Sequence, residues 1–112
     1  MQSPQSERPA SGSISDIAPK LAELSEHVLF GDIWERPALS KRDRSLITIA
    51  ALTVLYRTDQ LRGHIARGLD NGLTEEEIIE AITQMAFYGG WPTGVNAARV
   101  AQQVFAEHAS PG

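Results

Sequence analysis

The chain has 112 residues, a formal net charge of −4 and no cysteine. That length suits one domain and is too short for two. Without cysteine, disulfides, thiolate metal sites and thiol redox chemistry by the chain's own residues are excluded. The acidic balance, with no long basic run and no interleaving of aromatic and basic residues, argues against nucleic acid or an anionic membrane as the main partner.

The opening MQSPQSERPASGS lacks an apolar core, so it is not a secretory signal. No apolar run approaches the ~20 residues needed to cross a bilayer. A soluble, cytoplasmic protein is expected. Residues 1–13 read as a flexible tail, rich in Ser, Pro, Gln and Gly. Residues 14–109 are expected to form the folded domain.

A first helix is predicted from Ser15 or Asp16, either of which can cap. Ile17, Leu21, Leu24 and Val28 share one side at helical spacing, and Gly31 ends the element. The loop GDIWERPALS follows, with Trp34 as an apolar anchor and Arg36-Pro37 forcing an extended step. Ser40 caps a second helix whose residues Leu46 to Leu55 leave almost no polar face. Such a helix is expected to be buried on all sides, which one short chain can scarcely achieve. An oligomer is therefore expected. Lys41, Arg42 and Arg44 sit unfavourably at a helix start, so partners such as Asp43 or Glu35 are expected.

A third helix, capped by Thr58 or Asp59, runs to about Asp70 and stops at Asn71-Gly72. Gly63 and Gly68 lie inside it, either tolerated by chance or admitting a close neighbour. Thr74 and Glu77 form a capping box that opens a fourth helix, so the acidic run there marks a helix start and not a metal site. Gly89-Gly90 ends that helix, and Trp91-Pro92 begins a fifth, reaching about His108. The architecture expected is all-α, a small bundle of about five helices.

Arg57, Gln60 and His64 stand three and four residues apart, which stacks them on one helix face. Nowhere else does the sequence gather several reactive polar groups. His27 and His108 show no such constellation.

The segments GDIWERPALSKRDRSLITIAAL, the Arg57-to-His64 unit and GLDNGLTEEEIIEAITQMAFYGG-WP together resemble the carboxymuconolactone decarboxylase family. The resemblance covers roughly residues 24 to 106. It implies the alkyl hydroperoxidase D-like fold, a homotrimer or homohexamer, and sites near subunit contacts. One branch of the family is thiol peroxidases. Their two cysteines fall at Arg57 and Gln60, their histidine at His64 and their glutamate near Ser45, so only the histidine survives and the nucleophile is lost. The other branch is decarboxylases of aromatic-compound breakdown, which carry Arg, an acid and His at the spacing of Arg57, Gln60 and His64. Gln60 departs from that acid, and Gly-Trp-Pro at 90–92 departs as well.

On this reading Arg57 holds an anionic substrate, His64 donates a proton, and Gln60 orients the ring or binds a carbonyl. Trp34, Tyr88 and Trp91 are expected, by the resemblance, to wall the substrate site. Neither a cofactor nor a metal is required. The partners expected are a small organic acid and further copies of the chain. The alternative is a binding or structural oligomer that kept the fold and lost the chemistry. A helical histidine beside apolar residues is more commonly a packed core or interface residue.

Overall fold

The computed structural model describes residues 13–109. All but one residue of the expected tail lie outside that range. The exception, Ser13, is a helix cap. Two compact units follow each other along the chain, the first up to Ala38 and the second from Leu39. Six α-helices and no strands are found among the described residues, so the fold is all-α.

In the first unit, helix α1 (Ile14–Ile17) starts two residues earlier than expected. Ser13 and Asp16 form a reciprocal capping box, with the Asp16 carboxylate accepting from the Ser13 N–H at 3.1 Å. The expected single helix breaks at Ala18 (φ −137°, ψ 70°). The reason is Pro19, whose ring disfavours helical geometry in the residue before it. Pro19 then opens α2 (Pro19–Leu24) from a position where its missing N–H costs nothing. A π-helical turn follows at Ser25–Phe30. A Cβ on Gly31 would lie 2.7 Å from the Glu26 carbonyl oxygen, so this stop depends on space and not on left-handed backbone. No residue from Ile14 to Phe30 is buried. Trp34 lies in a 3₁₀ turn (Ile33–Glu35), is buried, and stacks on Phe30 with ring centroids 5.8 Å apart.

The second unit holds four helices: α3 (Lys41–Val54), α4 (Thr58–Asp70), α5 (Glu75–Gly89) and α6 (Trp91–Ala109). Their starts and stops follow local chemistry. Ser40 Oγ accepts from the Asp43 N–H at 3.0 Å. Thr74 and Glu77 satisfy each other's backbone N–H groups at 3.0 and 2.9 Å. At the end of α4 the Leu73 N–H donates to the Gly68 carbonyl and the Gly72 N–H to that of Leu69, with Gly72 at φ +108°. That pattern is the Schellman stop. Arg42 offsets its poor position at a helix N-terminus by pairing with Asp43 at 3.0 Å and with Glu77. Backbone bonding and Arg42 hold the Glu77 carboxyl below its ordinary value.

Ile49, Leu61, Ile65, Ile78, Ile82 and Ala101 form the centre of the core. The second predicted helix, now α3, is not enclosed on all sides by its own chain. It buries Ser45, Ile49 and Thr53, while Ile47 remains 57% exposed. A helix in a four-helix arrangement buries one stripe and leaves its opposite side open. Of the two readings left open for Gly63, tolerance fits and close approach does not, since nothing stands within 4 Å of a Cβ built there. Gly68 does admit neighbours: an added Cβ would meet Leu73 Cδ1 at 2.9 Å and Ile49 Cδ1 at 3.1 Å.

Gly94 is the tightest point between α5 and α6. A Cβ there would lie 2.6 Å from the Cβ of Ala86, an atom fixed to its backbone. Gly94→Ala is expected to destabilise by about 1–3 kcal/mol through overpacking, overriding the roughly 0.5–1 kcal/mol that alanine gains in a helix. Urea denaturation checks this; an unchanged or raised midpoint contradicts the packing.

Candidate functional site

Arg57, Gln60 and His64 are carried by α4 and its N-cap. The chain enters α4 through Tyr56, whose φ of +62° is left-handed. That conformation is uncommon for a residue with a side chain. Arg57, not Thr58 or Asp59, is the cap, and no side chain caps the first turn. The Arg57 guanidinium is exposed and donates to the Leu55 carbonyl at 3.4 Å. Gln60 is exposed and His64 half-buried.

This gradient comes from the helix itself. Leu61, Ile65 and Gly68 form the buried stripe of α4, and His64 borders it. Its Nδ1 atom is withdrawn from solvent. Burial, with a smaller contribution from the Arg67 charge one turn on, pushes His64 below its ordinary pKa of 6.5. The fold therefore favours the neutral ring. The unfolded chain takes up its proton first as pH falls, so His64 contributes stability at pH values above 6.5. That contribution is lost as pH falls below 6.5 through the lowered folded value. Titration of the ring C–H signals by NMR is expected to give a midpoint below that of an unfolded reference; a midpoint at or above 6.5 contradicts the burial.

Tyr88 and Trp91 flank the α5–α6 turn and are 75% and 63% exposed. Phe87 meets Trp91 edge-on at 5.8 Å. The α3–α4 connection lies at this same end of the second unit. A Cβ on Gly89 would touch Val54, and Asn96 Nδ2 donates to the Tyr56 hydroxyl at 3.1 Å. Arg57, Tyr88 and Trp91 thus belong to one end of the four helices. Trp34 belongs to the other unit, against Phe30.

Three grooves mark the second unit, one of which reaches Trp91. An open one of about 730 Å³ runs between α5 and α6, continued by one of about 170 Å³, and another of about 360 Å³ lies between α3 and α5. Arg57, Gln60 and His64 line none of these. Gln60 and His64 lie on α4, but the expected stacking of all three on one helix face does not hold for Arg57, whose N-cap backbone is non-helical (φ −102°, ψ 73°) and whose guanidinium turns back to Leu55. Ser45, where the resemblance puts the peroxidase glutamate, is fully buried and accepts from Asn71 Nδ2 at 2.9 Å. Among the described residues no three His, Asp or Glu side chains gather to hold a metal ion.

Sequence reading missed Arg67, Tyr56 and Asn96. Arg67 was legible, three residues beyond His64 on the same face. Tyr56 and Asn96 meet across 40 positions, a contact with no local signal.

The chain matches the carboxymuconolactone decarboxylase family over residues 19–103 and belongs to it. It is 34% identical over 93 residues to the 4-carboxymuconolactone decarboxylase of Acinetobacter baylyi, an alignment covering 83% of this chain and 69% of that protein. An uncharacterised protein of the nqo9–nqo10 intergenic region of Paracoccus denitrificans is 34% identical over 97 residues, 85% of this chain and 72% of that one. The nitrosuccinic acid decarboxylase npaB of Metarhizium robertsii is 32% identical over 90 residues, 80% of this chain and 63% of that one. Among the described residues no helix is long and apolar enough to cross a membrane.

Proposed function

We propose that the protein is a decarboxylase acting, without a cofactor, on a small carboxylated organic anion, with 4-carboxymuconolactone as the first substrate to try. What supports this reading is the placement of Gln60 and His64 on α4, with Arg57 at its N-cap, in a chain of this family. Two relatives named as decarboxylases support the reaction type.

Decarboxylation breaks a carbon–carbon bond and leaves its electron pair on the substrate. An adjacent carbonyl must accept that pair as an enolate, and a proton must then reach carbon. Arg57 holds a carboxylate, assisted by the N–H groups of the uncapped first turn of α4. Gln60 donates from its amide to the oxygen where charge develops. His64 supplies the proton. Its neutral ring in the free protein is no obstacle, because an anion placed beside it raises its affinity for a proton. The proposal includes assembly into a trimer or hexamer, since Arg57 and Gln60 stand in solvent on one chain and charge stabilisation needs a partly dry site. Tyr88 and Trp91 are suited to wall it, lying at the Arg57 end of the unit.

Purified protein incubated with 4-carboxymuconolactone is expected to consume its ultraviolet absorbance and release carbon dioxide. No turnover of this or any small carboxylated lactone, in a protein of native helicity, overturns the proposal. A second reading, a binding oligomer without chemistry, is favoured by Gln60 standing where an acid is expected. It predicts thermal stabilisation by the same anions with no product.

A further inference from the structure

The end of α3 puts a tyrosine where a glycine is usual. The Arg57 N–H donates to the Leu52 carbonyl at 3.0 Å and the Tyr56 N–H to that of Thr53 at 3.1 Å. This is the Schellman pattern again, as at the end of α4, with Tyr56 in the left-handed position at φ +62°. Among the described residues the other two positions of positive φ, Gly72 and Gly90, are both glycine. Glycine suits such a position because it has no Cβ to crowd the following carbonyl. Tyrosine there carries a conformational cost that glycine would not.

What tyrosine adds is its hydroxyl. Asn96 Nδ2, on α6, donates to it at 3.1 Å across 40 positions of sequence. The close approach of Gly89 holds α3 at Val54, inside the helix. The Tyr56–Asn96 bond reaches the turn beyond it.

Arg57 follows at once, and its backbone is engaged on both sides. Its N–H donates to Leu52, and its carbonyl accepts from the Leu61 N–H at 2.9 Å. The turn therefore places the Arg57 Cα, while the side chain is exposed. Moving Tyr56 to an ordinary φ re-aims the chain at Arg57. Gln60 and His64 lie inside α4 and keep that helix's own geometry.

We propose that Tyr56 and Asn96 are positioning residues: their hydrogen bond holds the left-handed turn and so sets where the Arg57 guanidinium meets the carboxylate of the substrate. The inference rests on the decarboxylase reading for the role of Arg57. Neither positioning residue has to touch the substrate. Losing the bond weakens anion binding and leaves His64 in place to donate its proton, so KM rises while kcat holds.

Three variants of the full chain test this. Asn96→Ala and Tyr56→Phe each delete the bond. Tyr56→Gly deletes it and gives the turn the residue it accommodates best. Amide hydrogen exchange, followed by NMR, is expected to be several-fold faster at Tyr56 and Arg57 in Asn96→Ala and Tyr56→Phe, with Gly72 and Leu73 at the other Schellman stop unchanged. Asn96→Asp, whose carboxylate can accept from the tyrosine hydroxyl, is expected to keep that exchange slow. With 4-carboxymuconolactone, KM is expected to rise several-fold in Asn96→Ala and Tyr56→Gly, with kcat within about twofold of the parent and the denaturation midpoint of Tyr56→Gly retained. Unchanged exchange at Arg57 in both deletions overturns the proposal, as does an unchanged KM in Tyr56→Gly. A KM that rises only where the midpoint falls makes the bond structural and overturns it too. A parent that does not turn over the lactone refutes the substrate reading alone, and the exchange result then decides whether Tyr56 and Asn96 place Arg57.

Discussion

Replacing His64 by alanine is expected to lower turnover of a carboxylated substrate by roughly 10²–10⁴-fold, the range over which a positioned general acid acts. The expectation rests on placement. Of Arg57, Gln60 and His64, only His64 borders the buried stripe of α4, so its ring is held while Arg57 and Gln60 reach into solvent. Losing a half-buried ring costs little of the core, which is centred on Leu61 and Ile65 instead. Helix content and denaturation midpoint should therefore stay close to those of the parent, separating a chemical defect from an unfolding one. His64→Gln refines the result. It keeps a hydrogen-bond donor but cannot transfer a proton at neutral pH, so it should bind the anion and still fail to turn it over. Full turnover by His64→Ala would remove the imidazole from the mechanism. Arg57→Ala should act mainly through KM, since it removes a charge that binds the anion in the ground state and the transition state alike.

Ile65→Ala is expected to cost about 2–5 kcal/mol of stability. Ile65 is fully buried, as are Ile49, Leu61 and Ile78 in the same cluster. Truncation leaves a void that four packed helices close only in part. A domain of this size has a total stability of roughly 5–15 kcal/mol, so the loss takes a large share of it. Urea unfolding should show a lower midpoint with an unchanged slope. A change below about 1 kcal/mol would mean that the α4 stripe is not central to packing. Because His64 is the preceding residue, Ile65→Ala also tests how far the imidazole depends on a rigid helix: activity should fall along with stability and recover on cooling toward the temperature of maximum stability.

Much of the fold is legible locally. Thr74 with Glu77, Asn71 with Gly72 and Trp91 with Pro92 each fix a helix end by hydrogen bonds or backbone limits acting within five residues. Local chemistry also allows a cap at Ser13 instead of Ser15 and a break before Pro19, and the first helix is misread because its apolar spacing runs straight through both. The left-handed Tyr56 has no such signal. Its conformation is held from outside, where Asn96 meets its hydroxyl and α5 closes against Val54.

The sequence by itself determined an all-helical chain of the carboxymuconolactone decarboxylase family, the absence of thiols, and a helix carrying Gln60 and His64, because helical period and residue chemistry are properties of neighbours along the chain. Only the tertiary structure decided that His64, unlike Arg57 and Gln60, is half-buried and biased to its neutral form, that α3 leaves Ile47 uncovered, and that an open groove lies between α5 and α6. Burial depends on which helices pack against which, and that is set by contacts between residues far apart in sequence.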